Sequence, residues 1–347
     1  MPTPVLPYVV RFMGVRMRVV SLIVVLVGSL LVGVPVQAVG RCSDIRIPVA
    51  SRPNQGPGDH IVGTLCLPQA GPVRELQVLV HGGTYDRTYW SLRGPETGPS
   101  YVHAMTAAGR ATFALDRLGV AGSSRASTLD FDAQVFSVHQ VIQALRARGI
   151  APRVVGVGHS YGSTILRKLA VDHSSDVDAL LLTGEAGIGE EEIDWPVYIH
   201  PATEDPQLAG RYDERYYTTR PGRRADLFAY GPGADPVALA SDELAKQADV
   251  APTEFLPSTI NAGITVPVLV VIGDHDRLLC GSGACPGSAT LQALEQRWYP
   301  RTRVDAEVLR DTGHSLTVHR GLRQLIGVVL GWRPGQQPVP AGGQAGQ

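Results

Sequence analysis

"VVGVGHSYGSTILRKLA", from Val154 to Ala170, sets one serine between two glycines where two patterns meet. To its left, Val154 to Val157 is a short apolar run rich in β-branched residues, as a buried strand requires. To its right, Ile165, Leu166, Leu169 and Ala170 recur at helical spacing. Ser160 stands at the bend, which is either an ordinary strand-to-helix turn or a turn that holds a nucleophile. The bare G-x-S-x-G string is a weak signal in a chain with 39 glycines. Its context makes it a strong one. A nucleophile on so tight a turn needs a strained backbone, and the neighbouring chain passes so close that side chains at positions 158 and 162 would clash. The bend also aims the hydroxyl off the sheet edge and sets the following N–H groups at a helix start, facing any developing negative charge.

Working outward, strand and helix patterns alternate. Ile45 to Val49 and Ile61 to Leu67 read as strands, an antiparallel start. "LQVLV" (Leu76 to Val80), "ATFALD" (Ala111 to Asp116) and "ALLLT" (Ala179 to Thr183) read as buried strands. Helices are expected over Tyr101 to Ala108, Phe131 to Arg148 and Ser163 to Val171. The rhythm returns near the end with strands Val266 to Ile272 and Val304 to Leu309, and helices Ala289 to Trp298 and Leu316 to Leu330. This is an α/β pattern, a mostly parallel sheet with helices on both faces. Between Glu185 and Pro257 it breaks into a polar, proline-bearing stretch in which pieces such as Asp242 to Ala248 look helical. An insertion over about residues 186–257 of this kind reads as a lid over a site.

The 347 residues suffice for a substantial core, and the formal net charge of -1 gives no reason to expect nucleic acid as a partner. Arg11, Arg16 and Arg18 precede an apolar run from Val19 to Val34, and "VQA" ends at Ala38. Residues 1–38 thus read as a secretory signal peptide; the rival reading is an uncleaved anchor, since the run approaches the ~18 residues of a membrane span. The expected mature domain covers 39–333 and is secreted, with no stable membrane partner once the signal is cleaved. The tail 334–347 has little to bury and reads as disordered. In an oxidising compartment the four cysteines suggest two disulfides, and of three pairings the local ones, Cys42–Cys66 and Cys280–Cys285, are favoured. "CGSGAC" lacks the spacing of a metal site.

"GHSYG" after a strand, "VLVHGG" upstream, "LDRLGVAGSS" between them, and "VLVVIGDHD" and "DTGHS" downstream resemble the α/β-hydrolase superfamily, over roughly Glu75 to Trp332. The resemblance implies a serine nucleophile, Ser160, with His314 as its base, in the order Ser…Asp…His. It assigns the acid that orients His314 to Asp276, leaving Asp274 to cap the turn. Glu185, just after the strand that follows the nucleophile, is the other position at which some members carry the acid. Oxyanion donors fall to the backbone of Tyr161 and of Gly83, with Thr84 in reserve. His159 reads as packing under the turn, His81 as structural, and Asp116 as part of a structural turn. His103, His139, His173, His200, His275 and His319 have no supporting motif.

A serine nucleophile sets aside dehalogenases and most epoxide hydrolases, which need a carboxylate there. The reading is therefore a hydrolase of carboxylic esters, acting on a small-molecule acyl substrate and requiring no metal or organic cofactor. Thioesters, lactones and peptides are alternatives on the same triad, and a non-catalytic binding module is a second class of alternative. Tyr85, Tyr89, Trp90, Trp195 and Tyr198 either line an acyl pocket or pack the insertion.

Overall fold

The computed structural model describes residues 40–188, 193–250 and 256–334. The expected signal peptide, and the expected tail beyond residue 334, lie outside them. In chain order the main domain opens with strands β1 (Arg41–Val49), β2 (Asp59–Leu67) and β3 (Glu75–Val80), helix α1 (Tyr101–Ala107) and strand β4 (Ala111–Leu115). Helix α2 (Phe131–Ala147), strand β5 (Arg153–His159), helix α3 (Tyr161–Asp172) and strand β6 (Ala179–Thr183) follow. The insertion contributes α4 (Trp195–Tyr198), β7 (Ile199–Pro201), β8 (Tyr216–Thr219), α5 (Arg224–Phe228), α6 (Pro236–Ala245) and β9 (Asp249–Val250). The main domain closes with β10 (Val268–Gly273), α7 (Arg277–Cys280), α8 (Ser288–Gln296), β11 (Val304–Leu309) and α9 (Gly321–Gly331).

Eight strands form one sheet in the order β1-β2-β4-β3-β5-β6-β10-β11. β1 and β2 are antiparallel, and the six from β4 to β11 run parallel. The inner strands are buried on both faces, with side chains leaving alternately to opposite sides, whereas β1 at the edge is mostly exposed. Val78 and Val80 join Val138, Ile165 and Leu291 in one core, whereas Leu79 joins Met105, Leu322 and Leu325 in the other. Both layers are thus built from unbroken apolar runs, which is why the strands were readable in the sequence.

The strand order reverses at β3, which pairs with β4 on one side and β5 on the other. A crevice opens at the carboxyl ends of strands at such a point, and ligands of open α/β sheets bind there. The loops after β3 and β5 flank it.

Three elements depart from expectation. The expected last helix, Leu316 to Leu330, is split: a 3₁₀ turn covers Leu316–Val318, His319 is extended, and α9 starts at Gly321. The helix expected from Asp242 to Ala248 is instead α6, which starts at Pro236 because Asp235 caps it by accepting the Val237 and Ala238 N–H groups. It ends at Ala245, where Lys246 turns to extended backbone. The insertion also holds an antiparallel sheet, β7-β8-β9, over a small core of Ala202, Leu208, Tyr212, Tyr216 and Ala248. Both favoured disulfides are present, Cys42–Cys66 joining directly paired residues of β1 and β2. Among the described residues no helix is long and apolar enough to cross a membrane.

Candidate active site

β5 ends at His159, and Ser160 turns the chain into α3 with φ 51° and ψ −123°. A non-glycine residue in that region stores roughly 1–3 kcal/mol of strain, which the surroundings must hold in place. They do so from β6. Ser160 N–H donates to Thr183 O at 2.8 Å, Thr183 Oγ1 donates to Gly158 O at 2.8 Å, and Ser163 Oγ donates to Thr183 O at 3.0 Å. The flanking glycines follow from clearance: a Cβ on Gly158 would lie 2.5 Å from Ser163 Cα, and one on Gly162 would lie 2.2 Å from Val80 O. The two glycines and the serine between them are one steric solution.

His314, on the loop after β11, donates Nδ1–H to both oxygens of Asp276, at 3.0 and 2.9 Å. Both side chains are buried, and the carboxylate also accepts the Leu278 N–H at the start of α7. With Nδ1 committed as a donor, Nε2 is the basic nitrogen, and it has no hydrogen-bond partner among the described residues. The His314 ring stands 4.9 Å from the ring of His159, the residue before Ser160, and 5.6 Å from Phe228.

The rival acids are occupied elsewhere. Asp274 accepts His275 Nδ1–H and the Thr312 N–H; burial alone would raise its pKa, but these bonds hold it below the ordinary value. Glu185 is paired with Arg167 and accepts the Thr164 hydroxyl at 2.8 Å. Structure therefore joins His314 to Asp276 and to neither of the others.

Around this pair three other histidines fall into place. His159 stacks on Tyr89 at 4.3 Å, and burial keeps it neutral by pushing its pKa well below the ordinary value, with His314 and His81 adding to the effect. His81 accepts the Arg117 N–H on Nε2. His319 is a residue that sequence reasoning missed. Its Nδ1–H donates to Ser315 O at 2.7 Å, and its Nε2 accepts the N–H of Tyr230 at 2.9 Å and of Gly313 at 3.2 Å. It thereby pins both neighbours of His314 and explains the break before α9. Burial lowers its pKa to about 4, which keeps Nε2 an acceptor.

Of the loop donors, Tyr161 N–H opens α3, where the helix dipole favours negative charge. The Thr84 N–H, the reserve donor, is instead given to Asp249 Oδ2 at 3.1 Å. Gly83 N–H has no partner among the described residues. The aromatic residues divide: Tyr85, Tyr89 and Trp90 are buried in the core, Tyr85 with its hydroxyl on Ser315, while Trp195 is exposed. Asp116 accepts the N–H groups of Arg87 and Gly122, as a structural turn residue would.

Residues 77–325 match the model of the alpha/beta hydrolase family. No curated protein matches the chain. Among solved structures, the esterase RhEst1 from Rhodococcus sp. is similar with a TM-score of 0.56 at 17% identity, covering 83% of this chain and 97% of that one. The carboxylesterase CesB from Bacillus subtilis gives 0.53 at 15% identity, covering 83% and 90%. The naproxen esterase from Bacillus subtilis gives 0.54 at 12%, covering 84% and 91%. At such identities the likeness is one of fold.

Proposed function

The chain belongs to the alpha/beta hydrolase family, and on that premise we propose that it is a secreted serine hydrolase cleaving carboxylic esters. The observation that carries this reading is the buried His314–Asp276 pair, whose Nε2 has no partner among the described residues and whose ring stands 4.9 Å from that of His159, the residue before the strained Ser160. Ser160 Oγ attacks the acyl carbonyl carbon while its proton passes to His314 Nε2. Asp276 stabilises the imidazolium so formed. The carbonyl oxygen takes the negative charge and is met by the Gly83 and Tyr161 N–H groups. His314 then protonates the departing alcohol, leaving an acyl-serine. Water, deprotonated by His314, attacks the acyl-serine, and His314 returns the proton to Ser160 Oγ as its bond to the acyl carbon breaks and the acid leaves.

Ser160 Oγ and His314 Nε2 are not hydrogen-bonded in the free protein; such contacts commonly tighten only when substrate arrives. Ester-cleaving activities are named for three structural neighbours, which supports the ester over other acyl groups. The two disulfides support export of a mature chain from about residue 39.

Hydrolysis of p-nitrophenyl esters of graded acyl length, alongside Ser160→Ala, tests the reading. Turnover that vanishes in the variant establishes the nucleophile. Absence of both turnover and fluorophosphonate labelling would reject it.

A further inference from the structure

Tyr217 of β8 and Asp249 of β9 are directly paired across the small sheet of the insertion. Residues opposite one another in an antiparallel pair leave the same face. Both side chains meet the loop after β3. A Cβ placed on Gly83 would lie 3.4 Å from the Tyr217 hydroxyl and 3.9 Å from Asp249 Oδ2.

Asp249 does the holding. Its Oδ2 accepts the Thr84 N–H and forms a buried ion pair with Arg117, and its Oδ1 accepts the Val250 N–H at 2.9 Å. Thr84 is held twice more, its carbonyl by the Gln247 N–H at 3.0 Å and its Oγ1 by Arg224 at 2.7 Å. All the polar groups of Thr84 are thus taken by the insertion, at a non-glycine φ of 62°. Gly83, directly before it, keeps an N–H with no partner among the described residues.

The Tyr217 hydroxyl, standing against Gly83, makes no hydrogen bond among the described residues. Asp249, whose charge acts on this hydroxyl, is already engaged by Thr84, Arg117 and Val250. Burial, with Asp249 adding to it, pushes the Tyr217 pKa above its ordinary value, so the hydroxyl keeps its proton.

We propose that Tyr217 is a further catalytic residue, its hydroxyl donating a hydrogen bond to the oxyanion beside the Gly83 N–H. The proton stays on Tyr217 throughout; the charge that forms as the Ser160 Oγ–carbon bond is made is shared with this donor and withdrawn when the carbonyl re-forms. The inference rests on the serine-hydrolase reading above. It makes the insertion part of the catalytic centre as well as its cover.

The test is Tyr217→Phe beside Ser160→Ala, with p-nitrophenyl butyrate as substrate. Removal of one oxyanion donor costs about a hundredfold in kcat, with KM little changed. The rate of inactivation by a p-nitrophenyl phosphonate, whose phosphonyl oxygen occupies the same place, should fall in parallel. A structural role alone would lower Tm or raise KM without that parallel. Fluorination of the Tyr217 ring supplies a second measurement that deletes no atom from the fold: a more acidic hydroxyl is a stronger donor, and kcat should rise. If Ser160→Ala is inactive while Tyr217→Phe keeps kcat within twofold, the inference falls and the hydrolase reading stands. If Ser160→Ala keeps full turnover, both fall together.

Discussion

Glu295 on α8 offers a direct test of how burial tunes this protein. Its side chain is 1% exposed and accepts the Gly187 N–H. Burial raises its pKa from 4.5 to about 7; the Gly187 bond and Arg167 oppose the rise, and Glu185 adds to it. Tyr299 is the other titratable group packed nearby, and burial, with Glu295 adding to it, raises its pKa. From about pH 4.5 the unfolded chain releases a proton that the folded protein keeps until about pH 7. Folding therefore binds a proton over that window, and this group's contribution to stability falls as pH rises through it. The shift amounts to about 3 kcal/mol, at 1.36 kcal/mol per unit. Glu295→Gln keeps an oxygen for Gly187 and removes the titration. The variant should match the parent more closely near pH 4.5 and gain on it toward pH 8, by about 5 °C in Tm for a domain of this size. The observable is the difference between the two melting curves across pH, because His319 tilts the parent the other way. A difference that stays constant from pH 4.5 to pH 8 would refute the argument.

Two further outcomes are expected. His319→Phe removes the partner of the Tyr230 and Gly313 N–H groups and of Ser315 O, at a cost of about 3 kcal/mol or more at pH 8. Since its folded pKa is depressed to about 4, the contribution of His319 is present above about pH 6.5 and lost as pH falls toward 4, so urea midpoints of parent and variant should converge in acid. Loop-closure entropy gives about 2 kcal/mol for the short Cys280–Cys285 loop and about 3–4 kcal/mol for Cys42–Cys66. The Cys42→Ser, Cys66→Ser double variant should therefore melt lower than the Cys280→Ser, Cys285→Ser one, and thermal scans in the reverse order would contradict this.

The main sheet was legible because its inner strands are buried on both faces, and such strands appear as unbroken apolar runs. The strands of the insertion were not. β7, β8 and β9 have three, four and two residues, too few for any period to show, and their sequences, "IHP", "YYTT" and "DV", are mixed in polarity. The split before α9 was hidden for another reason: Val318, Leu322, Leu325 and Val329 keep a helix-like apolar spacing, and the break comes from the hydrogen bonds of His319, which no periodicity records. The Ser160 turn and the pairing of His314 with Asp276 were readable because each sits in a local motif at a strand end. Thr183, Tyr217 and Asp249 belong to no motif and reach the site through the register of strands that meet only after folding, whereas His319 acts from the turn before α9 through its hydrogen bonds. One signal did exist. Arg117 follows a strand end within an apolar neighbourhood, where a buried guanidinium requires a carboxylate; the adjacent Asp116 is taken by Arg87, so the partner comes from elsewhere in the chain.

That carboxylate is Asp249, and its position bears on how the insertion works. A lid that swings clear must part from what lies beneath it, and here three of the contacts meet on one residue, Thr84, held from Asp249, Gln247 and Arg224. Thr84 follows Gly83 directly, so lifting that part of the insertion would free the loop whose N–H is to meet the oxyanion. Opening there and catalysis would exclude each other within a turnover.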